Sequence, residues 1–178
     1  QCPGCGGALK SDGKEARCEK CATKFINNDG IWQLYWDHEK NAGDVTDKVK
    51  SFYEEHPFPN YDDHDTLQSL ISKSRKGIYG KLLGEQIPFN AKILEVGCGT
   101  GQLSNFLAIG CRSVIGADLC LNSLRLAENF RKEQGLSRVR FTQINLFRPP
   151  FKTGEFDLVL CNGVLHHTGD CEGAFASI

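Results

Sequence analysis

The chain has 178 residues, a formal net charge of -1 and a hydrophobic fraction of 40%, which fits a soluble globular protein with room for one full domain and a small one. Near-neutral charge excludes a general binder of polyanions. The longest apolar run, around Phe156 to Leu165, is broken by Asp157 and Asn162 and is too short to span a bilayer. No charged-then-apolar leader opens the sequence, so a cytoplasmic protein with no membrane span is expected. The chain starts at Gln1 and holds no Met, which predicts a fragment or a processed form.

The first element is a metal module. Of nine cysteines, Cys2, Cys5, Cys18 and Cys21 form two Cys-x-x-Cys knuckles, while Cys98, Cys111, Cys120, Cys161 and Cys171 follow no spacing rule. Each knuckle aims two thiolates at one point, and four soft ligands in tetrahedral array favour zinc, with iron as the competitor. A redox pair explains one knuckle but not two so close together. A zinc ribbon is therefore expected over residues 1–36. So short a module buries little core, and the metal would supply its folding energy. Gln1 to Gly30 carries five Lys and Arg against four Asp and Glu, no electrostatic footprint for nucleic acid. The aromatics of "GIWQLYWD", Gly30 to Asp37, are expected to pack the ribbon on the next domain, with base stacking as the alternative.

Residues 37–90 read as a helical connector or lid. Val45, Val49, Phe52 and Tyr53 recur at helical spacing, as do Leu67, Leu70, Ile71, Ile78 and Leu82 behind an Asp65 cap with Gln68 three positions on. Between them Pro57 and Pro59 hold an extended strip with Phe58 and Tyr61. Glu54, Glu55, Asp62, Asp63 and Asp65 flank it, an acidic rim that would repel phosphate-rich substrates. A substrate lip and a docked connector are both open readings.

From Ala91 strands and helices alternate. Strands are expected at Ile93 to Val96, Val114 to Ala117, Val139 to Ile144 and Phe156 to Cys161, with helices at Gln102 to Ile109 and Leu121 to Gln134. The apolar runs are mostly continuous, as in strands buried on both faces, so the pattern predicts a parallel α/β sheet with its ligand at the carboxyl ends of the strands. The first strand runs into "GCGTG", where glycines let the backbone approach a ligand and free N–H groups at a helix start favour an anionic group. Gln102 follows the last Gly where a phosphate loop needs Lys, which excludes triphosphates. Gly97, Gly99 and Gly101 stand at positions one, three and five, whereas the dinucleotide fingerprint wants one, three and six.

Glu95 two residues before the first Gly, Asp118 at the end of the second strand, Asn145 at the end of the third and "FDLVLCNGVLHHT" at the fourth decide between ligands. With these residues the chain, from about Ala91 onward, resembles the class I S-adenosylmethionine-dependent methyltransferases. The fold class that follows is α/β, the first four strands of a Rossmann-like methyltransferase sheet, preceded by helices and a small zinc ribbon. The resemblance implies a partial S-adenosylmethionine-binding domain over residues 91–178. Gly97, Gly99 and Gly101 would let the backbone pass under the aminoacyl part of the cofactor, and Glu95 would orient that turn or reach the cofactor's amino group through water. Asp118 would hold the ribose, Leu119 would pack the adenine, and Leu146 and Asn162 would complete the cofactor site. Asn145 stands where the family usually has Asp, and its amide oxygen can accept from the adenine amino group.

Methyl transfer from a sulfonium needs alignment and, where the nucleophile carries a proton, a base. Asn162, His166 and His167 are the catalytic candidates, the alternative being that the His pair only shapes its loop. The fourth strand lacks the Asn-Pro-Pro-aromatic turn used on exocyclic amines of nucleic acids, which argues against a flipped adenine. A zinc ribbon ahead of such a domain looks like the ribosomal RNA guanine methyltransferases, but the neutral ribbon and acidic rim favour a small-molecule or lipid-linked acceptor. An inactive binding module is the non-enzyme alternative. The family's sheet has seven strands in the order 3-2-1-4-5-7-6, so this chain is expected to lack the later strands and to be inactive by itself.

Overall fold

The computed structural model describes residues 1–40, 43–59, 61 and 66–178. Four short strands come first: Leu9–Ser11 (β1), Glu15–Cys18 (β2), Lys24–Asn28 (β3) and Ile31–Gln33 (β4), each antiparallel to the next. Asp12 makes the first hairpin by accepting the backbone N–H groups of Lys14 and Glu15, both at 2.8 Å, with Gly13 at positive φ beside it. In the third hairpin Gly30 has φ +98, and a Cβ there would lie 2.5 Å from Glu128 Oε1, so both the turn and its docking require glycine.

Three helices follow, Thr46–Glu55 (α1), Leu67–Lys76 (α2) and Ile78–Gln86 (α3). The apolar stripe expected to run from Leu67 through Leu82 is divided at Gly77, whose extended backbone ends α2 and starts α3. The cap of α2 is Thr66, which exchanges bonds with Ser69 in a capping box, one place beyond the expected Asp65 and Gln68; Asp65 lies outside the described residues.

The alternating half then runs Lys92–Val96 (β5), Gln102–Ile109 (α4), Ser113–Asp118 (β6), Leu121–Glu133 (α5), Val139–Gln143 (β7), Leu158–Cys161 (β8) and Cys171–Ala176 (α6). Both faces of its strands are covered. Ile93, Val114, Val139 and Phe141 pack with Leu107 of α4 and Leu124 and Phe130 of α5, while Leu94, Val96, Ala117 and Ile144 pack with Leu34, Phe151 and Phe156 on the other face. The fourth strand starts at Leu158, later than expected, because Asp157 is bound through its carboxylate to the Lys92 N–H at the entry of β5.

All eight strands form one sheet in the order β1-β2-β3-β4-β7-β6-β5-β8. The last four are parallel in the order 3-2-1-4 of the alternating half, as the resemblance implies. The joint between the halves falls in Gly30 to Asp37, the segment expected to pack the ribbon on the next domain, and it is made by backbone pairing as well as packing. β4 pairs in parallel with β7, Trp32 opposite Thr142 and Gln33 opposite Gln143, and the Thr142 hydroxyl donates to the Trp32 carbonyl at 3.0 Å.

Candidate functional site

In the ribbon, Cys2, Cys5, Cys18 and Cys21 present sulfurs that all lie within 4.8 Å of one another, with Cys2 to Cys21 at 3.8 Å and Cys5 to Cys18 at 3.4 Å. Tetrahedral zinc with bonds of about 2.3 Å requires sulfurs about 3.8 Å apart, so the donor set fits. The Cys21 and Lys20 N–H groups point at Cys18 Sγ and lower its pKa, and the Thr23 hydroxyl and N–H hold Cys21 down to about 6. Both effects favour the thiolate that a metal needs.

The second site is a cavity of about 560 Å³ at the carboxyl ends of β5, β6 and β8. Glu95, Gly97, Gly99, Asp118, Leu119, Asn145, Leu146, Asn162, His166 and His167 all line it. Gly101 does not. It caps α4 at φ +71, and a Cβ there would strike the Phe141 ring and Ala127 at 2.6 and 2.7 Å, so this glycine serves helix-to-strand packing.

Within the glycine turn the backbone donors are turned to the protein's own acceptors. The N–H groups of Gly97 and Cys98 bond the Ala117 carbonyl, that of Gly99 bonds Asp118 Oδ2 at 2.8 Å, and that of Gly101 bonds the Cys98 carbonyl. These four donors of the turn are engaged within the protein and are not open to an anion. Two carboxyl groups, Glu95 and Asp118, face the cavity. Burial, reinforced by the Asp118 charge, lifts Glu95 to about 7, and Ser104 donates to its Oε2 from α4. Burial also raises Asp118, opposed by the Cys120 and Gly99 N–H groups that its two oxygens accept. A cationic ligand fits such a site better than an anionic one. Cys98 and Cys120 share the cavity, and burial pushes both thiols up, away from a nucleophilic thiolate.

Asn145 is buried at the end of β7. Its Oδ1 accepts the Phe147 N–H at 3.0 Å, and its Nδ2 reaches the Trp36 carbonyl at 3.0 Å and His38 Nδ1 at 2.9 Å. Neither Trp36 nor His38 was recognised as a partner of the site; a contact made 107 residues apart leaves no local pattern to read.

The mouth is aromatic. Tyr53 of α1 sets its hydroxyl 3.4 Å from His167 Nε2, and the two imidazoles of His166 and His167 lie 4.0 Å apart. Tyr79 lines the cavity from α3, and Phe58, 71% exposed, lines it from the proline strip. Tyr61 behaves differently. It stacks on Phe130 at 4.7 Å and accepts from Asn105, so the strip is a docked connector at Tyr61 and a lip at Phe58. A Cβ on Gly99 would lie 2.4 Å from the Phe58 carbonyl oxygen, and Thr100 Oγ1 donates to the Pro59 carbonyl, which seats the strip on the glycine turn. Glu54 is not part of a free acidic rim: its carboxylate accepts the Leu121 and Asn122 N–H groups at 2.8 and 2.9 Å and caps α5. Asp62, Asp63 and Asp65 lie outside the described residues.

A family profile described as a methyltransferase domain matches residues 93–178. Over these residues the chain resembles the class I S-adenosylmethionine-dependent methyltransferases. The malonyl-[acyl-carrier protein] O-methyltransferase of Legionella pneumophila is 35% identical over 103 residues, covering 54% of this chain and 35% of that enzyme. The ubiquinone biosynthesis O-methyltransferase of Actinobacillus pleuropneumoniae is 32% identical over 104 residues, covering 56% and 40%. The chain thus spans less than half the length of these two curated relatives. In fold it is similar to the crystal structure of a candidate S-adenosyl-L-methionine-dependent methyltransferase from Methanococcus maripaludis, with a TM-score of 0.54 at 16% identity over 80% of this chain and 60% of that one. The methyltransferase domain begins at β5, so the four cysteines and the His38 segment lie ahead of the matched residues.

Proposed function

We propose that this protein transfers a methyl group from S-adenosylmethionine to a small, apolar or lipid-linked acceptor, and that its ribbon holds a structural zinc. The observation that carries the reading is the lining of the cavity at the strand ends: Glu95 and Asp118 at its inner side, Tyr53, Phe58, Tyr79, His166 and His167 toward its mouth, and no Lys or Arg among the described residues that line it. An acceptor rich in phosphate would meet carboxylates and aromatic rings there, with no cation to receive it. Both curated relatives carry names that place their acceptors among carrier-linked or quinone-pathway molecules, which supports the same class.

When bound, the cofactor supplies a methyl carbon already activated by its sulfonium. The chain's own residues align and shield it. Asp118, fixed by two backbone donors, keeps lone pairs for the two ribose hydroxyls. Leu119 and Leu146 pack the adenine, and Asn145 offers its amide oxygen to the adenine amino group. Glu95 and Asp118 place negative charge near the cationic end, while Gly97 and Gly99 let the backbone pass close beneath it. Asn162 helps hold the cofactor and line the reaction space. At the mouth, His166 or His167 takes the proton of an acceptor that carries one, with Tyr53 holding the His167 ring.

Calorimetry with S-adenosylmethionine, followed by a screen of quinol, phenol and acyl-carrier acceptors for released S-adenosylhomocysteine, tests this reading. Binding with turnover of a neutral acceptor supports it. Binding of nicotinamide dinucleotide in preference to S-adenosylmethionine would overturn it.

A further inference from the structure

An Asn at position 145 can present either its oxygen or its NH2 to the cavity, and the two are opposite in hydrogen-bonding sense. The adenine amino group donates, so only the oxygen serves it. We propose that His38 and Asp44, with the Trp36 carbonyl, form a latch that fixes the orientation of the Asn145 amide and thereby sets the base preference of the cofactor site. The inference rests on the reading of the cavity as an adenosyl site, and it adds positioning residues from outside the methyltransferase domain.

The hydrogen-bond senses close on one solution. The Trp36 carbonyl only accepts, so the amide atom 3.0 Å from it must be Nδ2. The Phe147 N–H only donates, which puts Oδ1 at the other position. The second Nδ2 proton then points at His38 Nδ1, 2.9 Å away, so that nitrogen accepts and carries no proton. The ring proton is therefore on Nε2, where Asp44 Oδ2 accepts it at 2.6 Å. Asp44 is held in turn by the Thr46 N–H at the start of α1, at 2.8 Å, and the His38 ring is stacked on Phe147 at 4.4 Å. Both amide protons of Asn145 are occupied, and its oxygen keeps one lone pair for the cavity. The ribbon anchors the far end, because the Trp36 ring packs where a side chain on Gly4 would be and lies against Phe25.

With His38 removed the amide loses one of its three restraints and keeps the Trp36 carbonyl and the Phe147 N–H, so the flipped form, whose NH2 suits a base carrying a carbonyl oxygen in place of the amino group, becomes less costly. The experiment compares S-adenosylhomocysteine with S-inosylhomocysteine by calorimetry on the wild-type chain, His38→Ala and Asp44→Ala. The latch predicts that the wild-type chain prefers the adenosyl ligand and that His38→Ala narrows the preference by roughly fivefold to tenfold, with Asp44→Ala acting in the same direction but less. Equal weakening of both ligands, with the ratio unchanged, would mean these residues only support the loop, and would overturn the proposal. A wild-type chain that binds neither ligand would refute the adenosyl reading itself. In that event hydrogen exchange of the Asn145 side-chain amide decides the latch without a ligand: protection lost in His38→Ala or Asp44→Ala supports it, and protection unchanged in both removes it.

Discussion

In the ribbon the buried residues Cys2, Ala16, Cys18 and Phe25 form one small core cluster, and two of these four are candidate metal ligands; in the parallel sheet a single face buries Ile93, Val114, Val139 and Phe141 against Leu107, Leu124 and Phe130. The two regions share one hydrogen-bonded sheet, yet the ribbon's apolar cluster is much the smaller. With the proposed zinc bound, one would be held by coordination and the other by burial. They should therefore fail separately and under different insults.

The largest effect should come from the metal. Chelation, or Cys18→Ser with Cys21→Ser, is expected to unfold the ribbon, since structural zinc contributes on the order of 10 kcal/mol to such modules. Elemental analysis should find about one zinc per chain, lost in the double variant. A metal-free chain with intact β1 to β3 amide protection would break the comparison from the ribbon side. Next, Phe141→Ala should cost about 3 to 5 kcal/mol of stability, because Phe141 is fully buried between β7 and the α4 and α5 layer. Zinc content should not change. If the core variant released the metal as well, the two regions would be one cooperative unit.

Smaller effects sharpen the picture at the cavity. Asp118→Ala should weaken S-adenosylmethionine binding by about 1 to 3 kcal/mol, measured by calorimetry, through loss of a charged acceptor for the ribose. Glu95 should show in the pH dependence of stability. Its folded pKa, about 7, lies above the ordinary 4.5, so the folded chain holds a proton that the unfolded chain has released. Stability without ligand should then fall as pH rises through that window and level off above it, and Glu95→Gln should remove the slope. A slope that persists in Glu95→Gln would assign it to another group. The smallest effect concerns the RNA alternative. Ionic strength should barely alter acceptor binding at a site with no cationic lining, whereas a steep loss between low and moderate salt with a ribosomal RNA fragment would reverse the preference.

The parallel half was legible because its information is local. Continuous apolar runs gave β5 to β7 within a residue or two at each end, and α4 at both ends, since strands buried on both faces need no alternation to be seen. The turn and strand-end residues of the cavity were readable for the same reason, as each sits at a fixed step from a strand. Gly101 was harder. Its spacing matches the neighbouring glycines, and only the Phe141 ring beneath it shows that it serves packing. Long-range features escaped. β4, Ile31–Gln33, is too short to show a strand period until β7 is placed beside it, Glu54 looks like one more surface acid until the start of α5 is brought against it, and His38 is an isolated histidine until Asn145 is folded beneath it.

The pairing of β4 with β7 has a consequence in time. The Trp32 carbonyl waits for a hydroxyl 110 residues further along the chain. A ribosome adding about 5 to 20 residues each second needs roughly 5 to 20 seconds to deliver it. Throughout that interval β4 is an open edge, the kind of surface on which nascent chains pair wrongly with one another. All four thiols of the ribbon have emerged before β4 itself, so metal can order the antiparallel strands while the partner is still being made. If the proposed zinc is bound, its supply at the moment of synthesis, more than its supply afterwards, should decide how many ribbons are already ordered when β7 arrives to pair with β4.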